Sequence, residues 1–357
     1  MSATAPGADQ ELRFCTAADG TRLAWATHGS GPPLAIASCW LSHLTHDWQS
    51  PVWRHFLTAL GRIATTTRFD ERGFGLSDWE VSDFSLEARI GDLETIVEHV
   101  PHERFALLGV SSGAPVAIAY AARHPDRVSR LVLYAPISSG CFGGLGGVDA
   151  EAALLAIIRA SWARPDTLFQ RVFTSLLIPG ATEQQMAWLD ALQRMATSPG
   201  NAVASRIARA GVDISGELPR VQAPTLVLHA REDRAAPFHA GRLIASAIPD
   251  ARLVALESSN HILLSDEPAW AQWLSEVTRF LEPERPVAAP DAPLELSARE
   301  REILGLAARG LDNARIAAEL VLSPRTVERH LQNIYGKAGL SGRAARTAAV
   351  ARFLARV

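Results

Sequence analysis

The chain has 357 residues, 48% of them hydrophobic and 20% charged, enough for one large core and a small second domain. No apolar run approaches the roughly 18 residues of a membrane span, and the opening MSATAPGADQ has neither a basic residue nor an apolar stretch, which excludes a signal peptide or membrane anchor and leads us to expect a soluble, cytoplasmic protein. Cys15, Cys39 and Cys141, odd in number and not closely spaced, exclude a disulfide framework or zinc site and are read as small buried thiols.

Residues 13–281 alternate strands and helices. Asp19-Gly20 marks a hairpin between RFCTA and TRLAWAT, and the turn GSGPP leads into the apolar strand LAIAS. RIATTTRF, RFALLGV, RLVLYAP, PTLVLHA and RLVALE follow as strands, with helical stretches such as SLEARIGDLETIVEHV and APVAIAYAARHP between them. Apolar strands joined by crossover helices imply an α/β domain with a parallel-rich sheet. Ser139 to Glu217 lacks strand runs and is rich in Ala, Leu and Met, which predicts a helical cap over about residues 139–217. The prolines of EPERPVAAPDAP predict an extended spacer. The expected division is therefore a domain over 1–281, a linker over 282–293 and a domain over 294–357.

Gly109-Val110-Ser111-Ser112-Gly113 lies directly after RFALLGV and before a helix. Its glycines permit the sharp turn that projects Ser111, and the helix N-terminus, through the Ser112 amide, suits an oxyanion. A GxSxG string alone is a weak signal. Here Asp233 follows PTLVLHARE and His261 follows RLVALESSN, so the order Ser, Asp, His is complete and each residue comes after a strand. In that arrangement Ser111 is the nucleophile, His261 the base and then the acid, and Asp233 orients the imidazole. The alternative is a hydrogen-bonded pair that only stiffens the pocket.

With Phe69-Asp70-Glu71-Arg72-Gly73-Phe74-Gly75-Leu76-Ser77-Asp78 and HPDRVSRLVLYAP, these motifs resemble those of the α/β-hydrolases over residues 13–281. The resemblance implies an α/β-hydrolase fold with a helical cap, and Ser111, Asp233 and His261 as its triad. The chain departs from it where α/β-hydrolases commonly carry His-Gly, since Ser38-Cys39-Trp40 stands there. Trp40 then occupies the position of the second oxyanion amide. Losing one such donor costs about 3 kcal/mol, which predicts a site that binds better than it cuts. Cys39 is an alternative nucleophile, weighed against a packed small hydrophobe.

The segment CWLSHLTHDWQSPVWRHF brings Trp40, His43, His46, Trp48 and Trp53 near that loop. Trp40, His43, Trp48 and Ser112 are expected to bind a small, mostly apolar ligand with a few polar handles. His43 and His46 could ligate a metal, but no carboxylate-rich motif accompanies them, so neither metal nor cofactor is expected. In the cap, Trp162, Phe169, Phe173, Met186, Trp188 and Met195 are read either as a roof over the ligand or as ordinary core.

Past the linker, Ser297 followed three residues later by Glu300 is a capping box that opens SAREREILGLAARG. Ile303, Leu304, Leu306 and Ala307 repeat at helical spacing, and Gly310 stands where a helix end favours a left-handed residue. Asp312 caps a second helix with Ile316, Ala317 and Leu320 on its apolar face. Ser323-Pro324 starts a third so soon after that the two must cross. In this third helix Val327, Leu331, Ile334 and Ala338 share one stripe. Arg325, Thr326, Arg329, His330, Asn333 and Lys337 make up a polar, mostly basic surface suited to phosphates and base edges.

Residues 294–357 hold 11 Lys and Arg against 6 Asp and Glu, net +5, so that the overall −3 leaves residues 1–293 at −8. This is the pattern of a nucleic-acid-binding module beside an acidic domain. The string LSAREREILGLAARGLDNARIAAELVLSPRTVERHLQNIYGKAGLSGRA strongly resembles the LuxR-type (GerE-like) helix-turn-helix domain, matching at Glu302, Asn313, Ile316, Ala317, Leu320, Ser323, Thr326, Val327, His330, Asn333, Lys337 and Arg343. The resemblance implies DNA as a partner. It also implies a homodimer paired through the final helix, whose short apolar stripe is Ala349, Val350, Phe353 and Leu354.

Two functions of different class follow. One is a DNA-binding transcription regulator whose α/β-hydrolase-like domain binds a ligand and so biases DNA binding, which requires differential affinity between states. The other is an active serine hydrolase of esterase or lactonase type carrying a DNA-binding tail. The regulator is favoured, with slow turnover that resets the signal; a constitutive DNA-binding protein with an inert domain is disfavoured by the complete triad.

Overall fold

The computed structural model describes residues 10–100, 102–137, 148–162, 164, 168–281, 296–338, 349–350 and 353. The chain separates into two compact units, Met1–Pro283 and Glu284–Val357. The linker expected over 282–293 lies outside the described residues.

An eight-stranded sheet organises the first unit. In spatial order it runs β1 (Glu11–Thr16), β2 (Arg22–Gly29), β4 (Thr65–Phe69), β3 (Pro33–Ala37), β5 (Phe105–Val110), β6 (Val128–Tyr134), β7 (Thr225–Ala230) and β8 (Ala251–Leu256). β2 is antiparallel to both neighbours and every other pair is parallel. The side-chain period of two divides the central strands between two cores. Leu34, Ile36, Leu108, Val110, Val132, Tyr134, Leu226 and Leu228 face one core; Ala35, Ala37, Phe105, Leu107, Leu131, Leu133 and Val227 face the other. These strands read as continuous apolar runs because both faces are covered.

Helices α1 (Leu44–Gln49) and α2 (Arg54–Gly61) connect β3 to β4, and α3 (Leu86–Val97) and α4 (Ala114–Arg123) flank β5. The cap comprises α5 (Val148–Ser161), α6 (Leu168–Leu177), α7 (Glu183–Ala196) and α8 (Pro199–Ala210), inserted between β6 and β7, and α9 (Phe238–Ala247) and α10 (Pro268–Leu281) follow. The β4–α3 loop grips the cap where α7 meets α8. The Gly75 amide donates to Ala196 O at 2.7 Å, and Thr197 Oγ1 and Asn201 Nδ2 donate to Gly73 O at 2.7 and 3.1 Å. The buried carboxylate of Asp70 ties the same loop to α1, accepting from Ser42 Oγ, the Leu44 amide and the Leu76 amide at 2.7, 3.1 and 2.9 Å. Gly75 has φ +55°, and a Cβ there would lie 2.1 Å from Asp70 Oδ2, so only glycine fits.

The second unit is built from α11 (Ala298–Ala308), α12 (Asn313–Glu319) and α13 (Pro324–Ala338). Each start carries the expected cap: the reciprocal Ser297–Glu300 box, Asp312 accepting from the Arg315 amide at 2.8 Å, and Ser323 accepting from the Thr326 amide at 3.1 Å. Gly310 is left-handed after α11, at φ +84°. The core gathers Leu296, Ile303, Leu304, Ile316, Val327, Leu331 and Ile334. Among the described residues no helix is long and apolar enough to cross a membrane.

Candidate active site

Ser111 stands at the C-terminal end of β5, in a single 3-10 turn that leads directly into α4. Its φ of +52° is the left-handed region that a side-chain-bearing residue enters only under constraint. The neighbouring glycines supply the constraint. A Cβ on Gly109 would lie 2.8 Å from Ala117 Cβ, and one on Gly113 would lie 2.3 Å from the carbonyl oxygens of Ala37 and Ser38. The turn is therefore pressed against β3 and α4, and the serine is projected beyond the C-terminal end of β5, in the interior of the sheet.

His261 Nε2 lies 2.9 Å from Ser111 Oγ, and its Nδ1 lies 2.7 Å from Asp233 Oδ2. The ionised carboxylate can only accept, so Nδ1 carries the proton and Nε2 presents a lone pair to the serine hydroxyl. Asp233 Oδ1 accepts from the amides of Ala235 and Ala236, both at 2.9 Å, and His229 Nε2 approaches Oδ2 to 3.6 Å. Burial pushes this carboxyl up, but His261, His229 and the Ala236 amide outweigh it and hold it well below the usual carboxylate range.

The loop bearing His261 is fastened to the cap as well as to the sheet. The amides of His261 and Ile262 donate to Leu177 O at 2.8 and 3.2 Å, and Asn260 Oδ1 accepts from the Gly180 amide at 2.9 Å. On the sheet side the Tyr134 hydroxyl donates to His261 O at 2.7 Å and accepts from the Leu263 amide at 3.1 Å. Behind the elbow, Arg89 donates to Ser112 O and to Glu71, both at 2.8 Å, and Arg209 of α8 pairs with the same glutamate. Burial and the neighbouring Arg89 pull Arg209 down to about 9. One buried carboxylate thus joins the turn at Ser111 and Ser112 to the cap.

Ser111, His261 and Trp40 line a chamber of about 20 Å³ that is completed by Cys39, Leu41, Trp53 and Ile262 and roofed by Phe173, Leu177, Leu189 and Leu192. A water needs about 10–15 Å³ by this measure, so the chamber holds about one water's worth of space, and every lining residue but Cys39 is buried. Trp40 is buried, with its Nε1 donating to Ser205 Oγ at 3.0 Å and its ring against Trp162 and Phe173. Ser112 sits behind the nucleophile rather than in the chamber wall, and its Oγ is buried without a hydrogen-bond partner.

His43 and Trp48, expected as ligand contacts, are placed elsewhere. His43 caps α1, its Nδ1 accepting from the His46 amide at 3.3 Å, so its ring is committed to a helix start. Trp48 packs edge-on against His28 and under the Arg54 guanidinium, 4.2 Å from ring centroid to Cζ. Of the cap residues read as a roof, Phe173 is in the chamber wall; Trp162 and Phe169 are buried beside it, Trp188 stacks on His46, Met186 is half-buried and Met195 is exposed. Cys39 lines the chamber, and burial and Asp47 push its thiol up to about 12, which disfavours the thiolate. Cys15 is half-buried rather than fully packed, and Cys141 lies outside the described residues. Among the described residues no cluster of three or more His, Cys, Asp or Glu could hold a metal ion.

In the second unit, α13 turns Arg325, Arg329 and Asn333 to solvent and leaves Thr326 and His330 half-buried. Lys337 lies on the same helix, but its side chain falls outside the described residues. Thr326 Oγ1 is 2.8 Å from Ser323 Oγ, so its hydroxyl also belongs to the cap. The turn before α13 contains Val321, left-handed at φ +53° and 90% exposed. The stripe expected to pair two chains is partly spent inside this unit: Ala349 is buried and Val350 and Phe353 pack on the core, while Leu354 lies outside the described residues.

A family model described as alpha/beta hydrolase fold matches residues 44–268, and one described as bacterial regulatory proteins, luxR family, matches residues 294–349. A pimeloyl-(acyl-carrier protein) methyl ester esterase of Nitrosomonas europaea is 29% identical over 241 residues, covering 66% of this chain and 90% of that protein. An AB hydrolase superfamily protein of Bacillus subtilis is 31% identical over 204 residues, 54% of this chain and 72% of its own length. Among solved structures, a hydrolase from Pseudomonas aeruginosa superposes with a TM-score of 0.64 at 26% identity, covering 76% of this chain and 98% of that one.

Proposed function

The chain belongs to the alpha/beta hydrolase family and carries a luxR-family regulatory domain, and from that premise we propose that it is a cytoplasmic transcription regulator whose triad chamber binds a small, mostly apolar carbonyl ligand and thereby biases DNA binding. The observation that carries this reading is the pair of hydrogen bonds from the His261 and Ile262 amides to Leu177 O. A ligand larger than one water cannot fit between Ser111 and Leu177 without moving the cap, so filled and empty chambers differ in structure. A ligand biases an equilibrium only through such a difference between states. The exposed Arg325, Arg329 and Asn333 are then the groups that meet phosphates and base edges.

A second reading, a working serine hydrolase with a DNA-binding tail, is favoured by the completed Ser111–His261–Asp233 geometry. In that case Ser111 Oγ attacks the ester carbonyl as its proton passes to His261 Nε2, and the imidazolium, stabilised by Asp233, returns that proton to the leaving alkoxide. Water then repeats the sequence on the acyl-serine, releasing the acid and restoring the serine. In both readings the ligand's carbonyl oxygen lies toward the Ser112 amide at the start of α4.

A reporter dose-response in wild type and Ser111→Ala, run beside a ligand-binding curve, separates the two. The sensing reading expects the response to survive the substitution or to last longer, because the ligand is no longer consumed. Loss of response with binding intact would sink it and promote the hydrolase. We also propose a two-fold pair on DNA; one chain per site on an unrepeated half-site at saturation would count against it.

A further inference from the structure

A second cavity lies beside the triad chamber, between the sheet and helices α2 and α10. It measures about 50 Å³ and adjoins the smaller chamber, with Cys39, Leu41 and Trp53 lining both. Most of its lining is apolar, with Ile36, Leu57, Leu108 and Trp273 from four different elements. One corner is not. Asp47 and Arg68, both buried, stand together there, Oδ2 of the one 3.9 Å from Nη1 of the other.

Neither group is satisfied. Asp47 Oδ2 accepts from the His43 amide at 3.1 Å, but its Oδ1 is buried without a partner. Arg68 Nη2 donates to Gln10 Oε1 and Leu44 O at 2.6 and 2.7 Å, but its Nε is buried without one. An unused acceptor and an unused donor at one corner of an apolar cavity are costly to keep and are the groups a ligand would need. A charged ligand end would have to be desolvated beside one buried carboxyl and one buried guanidinium, attracted by one and repelled or left unpaired by the other. A wholly apolar one would leave both atoms unpaired.

We propose that this cavity is the tail subsite of the ligand sensed at Ser111. It takes an unbranched apolar chain that ends in a neutral hydroxyl, which donates to Asp47 Oδ1 and accepts from Arg68 Nε while the carbonyl end of the ligand lies at Ser111. The inference names the ligand class for the sensing reading and rests on it. The rival occupant is water, since the cavity could hold roughly three or four molecules.

The test uses the full chain and reads the initial rate at which a fluorophosphonate labels Ser111. Methyl ω-hydroxyalkanoates of increasing length are compared with the matching methyl alkanoates as protecting competitors. A polar corner at a fixed distance acts as a ruler. At one chain length the hydroxyl should lower the protecting concentration about 10- to 100-fold, with under about 3-fold advantage at lengths well to either side. Leu57→Phe, which fills the cavity from α2, should remove that advantage while leaving protection by methyl propanoate unchanged. The wild-type series decides the matter even if this variant fails to fold. Equal protection by hydroxylated and plain esters at every length overturns the tail subsite and leaves the sensing reading standing. If Ser111 is not labelled at all, the same ester series is read by the rise it gives in the melting temperature of the full chain, where the hydroxyl advantage at one chain length is again expected and its absence at every length overturns the tail subsite.

Discussion

Ser111 and His261 are 2% and 3% exposed, whereas Arg325, Arg329 and Asn333 of α13 stand in solvent. In the proposed reading the first pair meets a small molecule, and its hydrogen bonds gain strength by excluding water. The second group is built for a polyanion, whose backbone and base edges must be reached from outside. Burial carries a structural obligation that exposure does not. His261 is held by its own ring partners, by Leu177 and by Tyr134, and each of these is also part of the packing. The exposed side chains of α13 can change with little effect on the core beneath them.

The largest effect that can test this contrast is on covalent chemistry. Ser111→Ala should remove ester hydrolysis and fluorophosphonate labelling by about 10⁴- to 10⁶-fold, and Asp233→Asn should lower any hydrolysis by about 10⁴-fold. Both are read with a chromogenic short-chain ester, and residual turnover in Ser111→Ala would place the chemistry elsewhere. Next come Arg329→Ala and Asn333→Ala, each expected to weaken specific DNA binding by about 1–3 kcal/mol. Unchanged melting temperatures in these two variants would uphold the contrast, and a large fall would break it.

Tyr134→Phe probes the other side. It removes the donor to His261 O and the acceptor for the Leu263 amide, so about 1–3 kcal/mol of stability should be lost, measurable by chemical denaturation. The smallest effect concerns Asp47. Burial pushes its carboxyl up to about 7, against Arg68 and the His43 amide and with a further rise from Asp70. A raised carboxyl stabilises the fold fully below its unfolded value near 4, and that contribution is lost as pH rises through about 7. Asp47→Asn cannot ionise, so its melting temperature relative to wild type should rise by about 2–5 °C between pH 6 and pH 8, the shift that ~1.3 kcal/mol produces in a domain of this size. A constant difference would show that Asp47 is not raised.

The strands, the nucleophile turn and the three helices of the second unit were legible because each depends on local pattern. Apolar runs end in turns, glycines sit where no Cβ fits, and Ser297, Asp312 and Ser323 cap their own helices. The placements of His43 and Trp48 were not legible in this way. α1 and α2 are six and eight residues long, too short for a period to show, so the segment reads as aromatic residues near a loop. The chamber roof was hidden for a different reason: Leu177, Leu189 and Leu192 look like any apolar helix positions, and only tertiary packing turns them toward Ser111. Glu71 belonged to a recognised motif, yet its pairing with Arg209 spans 138 positions of sequence and carries no local signature.

In the sensing reading, a chamber over Ser111 too small for its ligand also sets a clock. A ligand that must wait for the roof to lift associates no faster than the roof opens, so its observed rate of binding levels off as concentration rises instead of climbing in proportion. Its apparent affinity is reduced by the fraction of time the roof is open. Substitutions that loosen the Leu177–His261 clasp would then change how quickly the protein responds as well as how tightly it binds, and speed of response could be tuned at positions no ligand atom touches.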